Sequence, residues 1–121
     1  MTADGLALEL KNLARMSVIH PLLGRPAARL EWLAAQIDAL LPGEEPLEHT
    51  FHSGGGLTED LRWIGRGEQG IEMSSGTPCG AHGFMVIRVA GLSLKGFEFE
   101  TDEADRVFQA MLRGDTELGA Q

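Results

Sequence analysis

Leu47-Glu48-His49-Thr50-Phe51-His52 is where the periodicity of this chain changes. Leu47, His49 and Phe51 alternate with Glu48, Thr50 and His52, a period of two that sends successive side chains to opposite faces of a strand. The residues before this stretch repeat with a helical period, and those after it break into short strands. The reading of this one segment therefore separates a helical N-terminal part from a sheet.

Moving back towards the N-terminus, Leu6, Leu10, Leu13 and Ser17 recur at helical spacing, with Ala14 and Met16 beside them. Asp4 is the expected N-cap of this helix. His20-Pro21 should end it, because a residue before proline avoids the helical region. Pro26 suits the first position of a second helix, whose apolar stripe runs through Leu30, Leu33, Ala34, Ile37, Leu40 and Leu41 and closes at Pro42-Gly43. The short connection predicts a helical hairpin.

Moving forward, Ser53-Gly54-Gly55-Gly56 interrupts the first strand; Leu61-Arg62-Trp63-Ile64 is the next candidate strand, with Trp63 expected in the core, while Thr58-Glu59-Asp60 could equally open a short helical turn. A glycine-rich turn around Glu68-Gln69 leads to a short strand over Ile71-Glu72-Met73-Ser74. Gly76 to Gly83 reads as a loop. Phe84 to Val89 is a nearly continuous apolar run, which predicts a central strand covered on both faces. Ala90-Gly91 turns the chain into a last strand ending near Glu100, with a bulge expected at Gly96. Thr101 or Asp102 caps a final helix that buries Val107, Phe108, Met111 and Leu112 and stops at Gly114.

The predicted fold is α+β: an N-terminal helical hairpin, a four- to five-stranded antiparallel meander, and a C-terminal helix packed on one face of the sheet. Residues 1–121 form a single domain, with the hairpin over 1–43, the sheet over 44–100, the helix over 101–114 and a frayed tail over 115–121.

Composition narrows the function. A chain of 121 residues with 43% apolar content is long enough to bury a core. Eighteen acids against ten bases give a net charge of −8, so no basic stripe is available for a nucleic-acid backbone. The balance suits a partner protein with a basic surface. The single cysteine forms no internal disulfide, and the first five residues carry no basic signal-peptide region. The apolar runs are too short to span a membrane, so a cytoplasmic location is expected.

Two groups of residues stand out chemically. His49 and His52 form a His-x-x-His pair, and Cys79 and His82 form a Cys-x-x-His pair within a Pro/Gly loop. Converged, these four could hold zinc, or Cys79 could act as a thiol nucleophile with His82 as its base. Strand geometry opposes the first pair, since residues three apart face opposite ways. Two strand histidines and a small buried thiol account for the same residues without chemistry. Ser53-Gly54-Gly55-Gly56 lacks the spacing of a phosphate-binding loop and reads as a connector.

The second group is Glu98, Glu100, Asp102, Glu103 and Asp105, five acids without a base. Glu98 and Glu100 should share the solvent face of a strand, and the other three complement the positive end of the last helix. They also form a surface for a basic partner. Trp32 falls off the main helical stripe and is expected either as an interface anchor, buried in a homodimer through the N-terminal helices, or as part of a wide stripe that covers the sheet edge.

No complete catalytic set is present. The expected function is a small acidic protein-interaction module of the inhibitor, immunity or adaptor type, needing no cofactor and not acting as an enzyme. The alternatives are a zinc protein or small thiol enzyme built on His49, His52, Cys79 and His82, and a domain that binds a small ligand between its helices and its sheet.

Overall fold

The computed structural model describes residues 2–53, 60–74, 83–92, 95–99 and 101–114. Helix α1 covers Ala3–Ile19, a 3-10 turn covers Pro21–Leu23, and helix α2 covers Pro26–Leu40. Strands β1 (Glu48–Ser53), β2 (Asp60–Arg66), β3 (Gln69–Ser74), β4 (Phe84–Arg88) and β5 (Lys95–Glu98) follow, and helix α3 (Asp102–Arg113) ends the described chain. The sheet is an antiparallel meander in sequence order, so β1 and β5 are its edges. The expected tail over 115–121 lies outside the described residues.

Local chemistry explains most boundaries. Thr2, not Asp4, is the N-cap of α1: its hydroxyl accepts from the Gly5 amide at 3.0 Å. Asp4 instead sits in the first turn, where its charge suits the helix dipole. His20 takes an extended conformation ahead of Pro21 and ends the helix, and Pro26 opens α2. Arg66 pairs with Gln69 around Gly67-Glu68, with Gly67 at φ +64° and Glu68 at negative φ, the pattern of a type II′ hairpin turn. Thr101 caps α3 by accepting from Ala104 at 3.0 Å, and Gly114 ends it in the left-handed conformation.

All three helices pack on one face of the sheet. Ile64, Ile71, Met73, Met85 and Ile87 share that face by register and are fully buried against Leu10, Leu33, Ile37, Phe108 and Met111. Burying each such side chain contributes roughly 1.5–3 kcal/mol. The other face carries Leu61, Trp63, Glu72, Phe84, Val86 and Arg88, all half-buried. This corrects two expectations. β4 is central, but it alternates between buried and half-buried residues instead of being covered twice. Trp63 belongs to the open face: its ring lies over Gly65 and its Nε1 donates to Glu48 at 3.0 Å. The pairing of β4 with β5 also runs through Val86 opposite Gly96 without a bulge.

Candidate functional site

The strand that carries His49 and His52 sends them to opposite faces. His49 lies opposite Ile64, on the helix-covered face, while His52 lies opposite Leu61 on the open face. Nε2 of His49 is taken up by Nη1 of Arg62 at 2.8 Å. Burial and the neighbouring guanidinium both lower the His49 pKa. The two histidines therefore do not converge, for the reason strand geometry gives. Cys79 and His82 lie outside the described residues. Among the described residues, no group of three or more His, Cys, Asp or Glu side chains is placed to hold a metal ion.

The acids of the 98–105 segment take separate positions. Asp102 and Glu103 are exposed in the first turn of α3. Asp105 is half-buried and accepts from the Gly83 amide at 3.2 Å, which ties α3 to the start of β4. Glu98 occupies the register position opposite Phe84, and Glu100 lies outside the described residues. Trp32 is half-buried and packs against the core, because the apolar stripe of α2 is wide enough to include it. Of the two expectations for Trp32, the wide stripe holds and the exposed anchor does not.

Glu103 is one of the residues lining a groove of about 420 Å³ between the end of α1 and the start of α3. Val18, Ile19, Phe99, Ala104 and Val107 provide its apolar lining. Arg15, Arg29 and Glu103 supply the charged groups. Phe99 is positioned from below by Phe108, with ring centroids 5.0 Å apart at 47°. Ile19 in its lining is 57% exposed, and Leu22 close by in sequence is 86% exposed.

Two buried arginines hold the surroundings. Arg29 donates from Nε to the Gly24 carbonyl at 2.8 Å, and from Nη1 to the carbonyls of Ser17 at 3.0 Å and Val18 at 2.6 Å. It caps the C-terminus of α1, which has no basic residue of its own in its last turn. Burial lowers the Arg29 pKa, and Glu103 opposes that shift. Arg62 donates from Nη2 to the Leu112 carbonyl at 3.1 Å and lies 4.7 Å over the Phe51 ring. Neither role was readable from the chain, because each carbonyl acceptor lies outside the helix or strand that carries its donor. The absence of a cation in the last turn of α1 was the one available hint for Arg29.

Among the described residues no helix is long and apolar enough to cross a membrane. Comparison of the chain with protein-family models, with curated proteins and with solved structures returns no match.

Proposed function

We propose that this protein is a small acidic protein-interaction module of the inhibitor, immunity or adaptor type, which binds a basic surface on a partner protein. One observation carries the reading: the first turn of α3 exposes Asp102 and Glu103, and Glu103 lines the groove between α1 and α3 together with Arg15 and Arg29. Apolar surface supplies contact area, and the adjoining acids select a partner of opposite charge and steer its approach. The net charge of −8 adds long-range attraction to the same partner.

Affinity capture from the source cells tests this, with the wild-type chain and an Asp102→Lys/Glu103→Lys variant as baits. The wild type should retain a protein with a basic surface, and both the variant and raised salt should release it. A retained protein indifferent to the charge reversal and to salt would overturn the reading. Stoichiometric zinc in the purified protein, lost on Cys79→Ser, would replace it with the metal-binding alternative.

A further inference from the structure

Strand β1 is an edge of the sheet, and among the described residues no strand pairs with its outer side. It pairs with β2 over six residues in unbroken register. Edge strands are usually shielded by lysine, proline, a bulge or sheer shortness. The opposite edge, β5, fits that rule, with four residues and Lys95. Glu48–Ser53 carries none of these devices, and Glu48, His49, Thr50, Phe51 and His52 are all exposed.

The hairpin at Gly67-Glu68 determines which backbone groups of β1 face outward. Its two-residue turn makes Arg66 and Gln69 a hydrogen-bonded pair. Hydrogen-bonded and non-hydrogen-bonded pairs alternate along an antiparallel ladder. Arg62 and Ile64 therefore bond towards β3, and Leu61, Trp63 and Gly65 bond towards β1. Their partners Glu48, Thr50 and His52 spend their amides and carbonyls on β2. The N–H and C=O groups of His49 and Phe51 point away from the sheet.

We infer that a second copy of this chain pairs its own β1 with this edge, antiparallel, across a two-fold axis at Thr50. A ladder forms only where outward-facing residues of both strands meet, which allows two-fold axes at His49, Thr50 or Phe51. With the axis at Thr50, His49 of each protomer exchanges both backbone bonds with the partner's Phe51, and their rings form a cross-strand aromatic pair on the helix-covered face. The same register sets Glu48 opposite the partner's His52 on the open face, twice by symmetry, so a carboxylate acceptor meets an imidazole donor. An axis at His49 would set Glu48 opposite the partner's Thr50, and an axis at Phe51 would carry it past the end of the partner's strand. The strand is thus complementary to itself in one register. The contact uses the same edge of both copies and closes after two, making one continuous sheet. It involves neither Asp102 nor Glu103 and does not rest on the proposed function.

Sedimentation equilibrium on the purified full chain tests the dimer, over a series of protein concentrations at about 0.15 M salt, where the repulsion between two chains of net charge −8 is screened. The wild type should show a concentration-dependent monomer–dimer equilibrium. Phe51→Pro deletes an amide that points outward, so it spares the bonds to β2 and removes one dimer bond from each protomer. It should raise the dimer Kd about tenfold over Phe51→Ala, which removes the same ring, with matching circular dichroism. Glu48→Lys and His52→Glu should each weaken association, and the double variant, which restores an opposite-charge pair in reverse, should regain much of the loss. Thr50→Cys in a Cys79→Ser background should oxidise to a disulfide-linked dimer, because a non-hydrogen-bonded pair holds its Cα atoms about 4.5 Å apart. A wild type that stays monomeric, or a proline variant that dimerises as well as the alanine one, would overturn the inference. So would a double variant no tighter than the singles, or a Thr50→Cys chain that does not cross-link. A dimer that survives every change in β1 is built elsewhere, as through the N-terminal helices, and overturns it equally. A monomer that still captures a basic partner discards the dimer alone; a dimer that captures none discards the functional reading alone.

Discussion

Nη1 of Arg62 lies 2.8 Å from Nε2 of His49, and a guanidinium can only donate. Nε2 must therefore be the acceptor, which fixes the ring as neutral with its proton on Nδ1. Protonating His49 would remove the acceptor and set a second cation against a buried one. Burial first, and Arg62 second, lower the His49 pKa below its ordinary 6.5.

The sign of the pH dependence follows. A histidine with a depressed folded pKa contributes stability that is fully present above the unfolded value and is lost as pH falls through the folded one. Urea unfolding between about pH 7.5 and 5.5 should show stability falling with pH, and His49→Gln should flatten part of that slope, because its amide oxygen accepts at every pH. Equal slopes for the two proteins would remove His49 from this role.

Arg62 itself is 8% exposed, and its Nε has no hydrogen-bond partner among the described residues. Its charge is balanced by the Leu112 carbonyl at the end of α3 and by the face of Phe51. Arg62→Ala frees that carbonyl and leaves a cavity, so it should cost about 2–4 kcal/mol in denaturant unfolding. Arg62→Met should cost less, because it keeps the stem's packing and removes a desolvated charge. An alanine variant as stable as the wild type would show that this network adds nothing.

Trp63 and Gly65 form a close pair on the open face. A Cβ on Gly65 would run into the Trp63 ring and the Gln69 carbonyl, and the indole could not stay where its Nε1 reaches Glu48. Gly65→Ala should destabilise by about 1–3 kcal/mol and red-shift the tryptophan emission as Trp63 lifts away. Gly67→Ala is the comparison: its Cβ would meet nothing within 4 Å, but its φ of +64° makes alanine strained by about 1 kcal/mol. Its emission spectrum should not move. Identical spectra for the two variants would contradict the stacking.

The fold was readable in the chain because its signals are local. Leu30, Leu33 and Ile37 repeat with a helical period on the buried side of α2, and Pro26, Gly67 and Gly114 punctuate the chain as their conformational limits dictate. What escaped was tertiary. That Trp63 would face outward depended on which side of the sheet the helices chose, and an apolar mid-strand residue is compatible with either. Trp32 suited either a narrow stripe that would expose it or a wide one that would bury it, and only the packing selects the wide one. The groove joins Ile19 to Val107 across 88 positions of chain, and no spacing rule reaches that far.

Arg29 offers the sharpest test of how the exposed turn is held. Its side chain serves three carbonyls, those of Ser17, Val18 and Gly24, from two nitrogens whose relative placement is fixed by the planar guanidinium. Removing it leaves the last carbonyls of α1 without their cation, and one of these acceptors, the Ser17 carbonyl, belongs to a fully buried residue. Arg29→Ala should therefore cost about 2–4 kcal/mol. Arg29→Lys should recover only part of it, because a single ammonium cannot span carbonyls at both Gly24 and Val18. Hydrogen exchange separates this local role from a general loss of stability. The Leu22 and Leu23 amides, which bond to His20 within the braced turn, should lose protection in Arg29→Ala by a larger factor than core amides of β3. If the turn and the sheet lost protection by the same factor, Arg29 would stabilise the whole domain without bracing the turn.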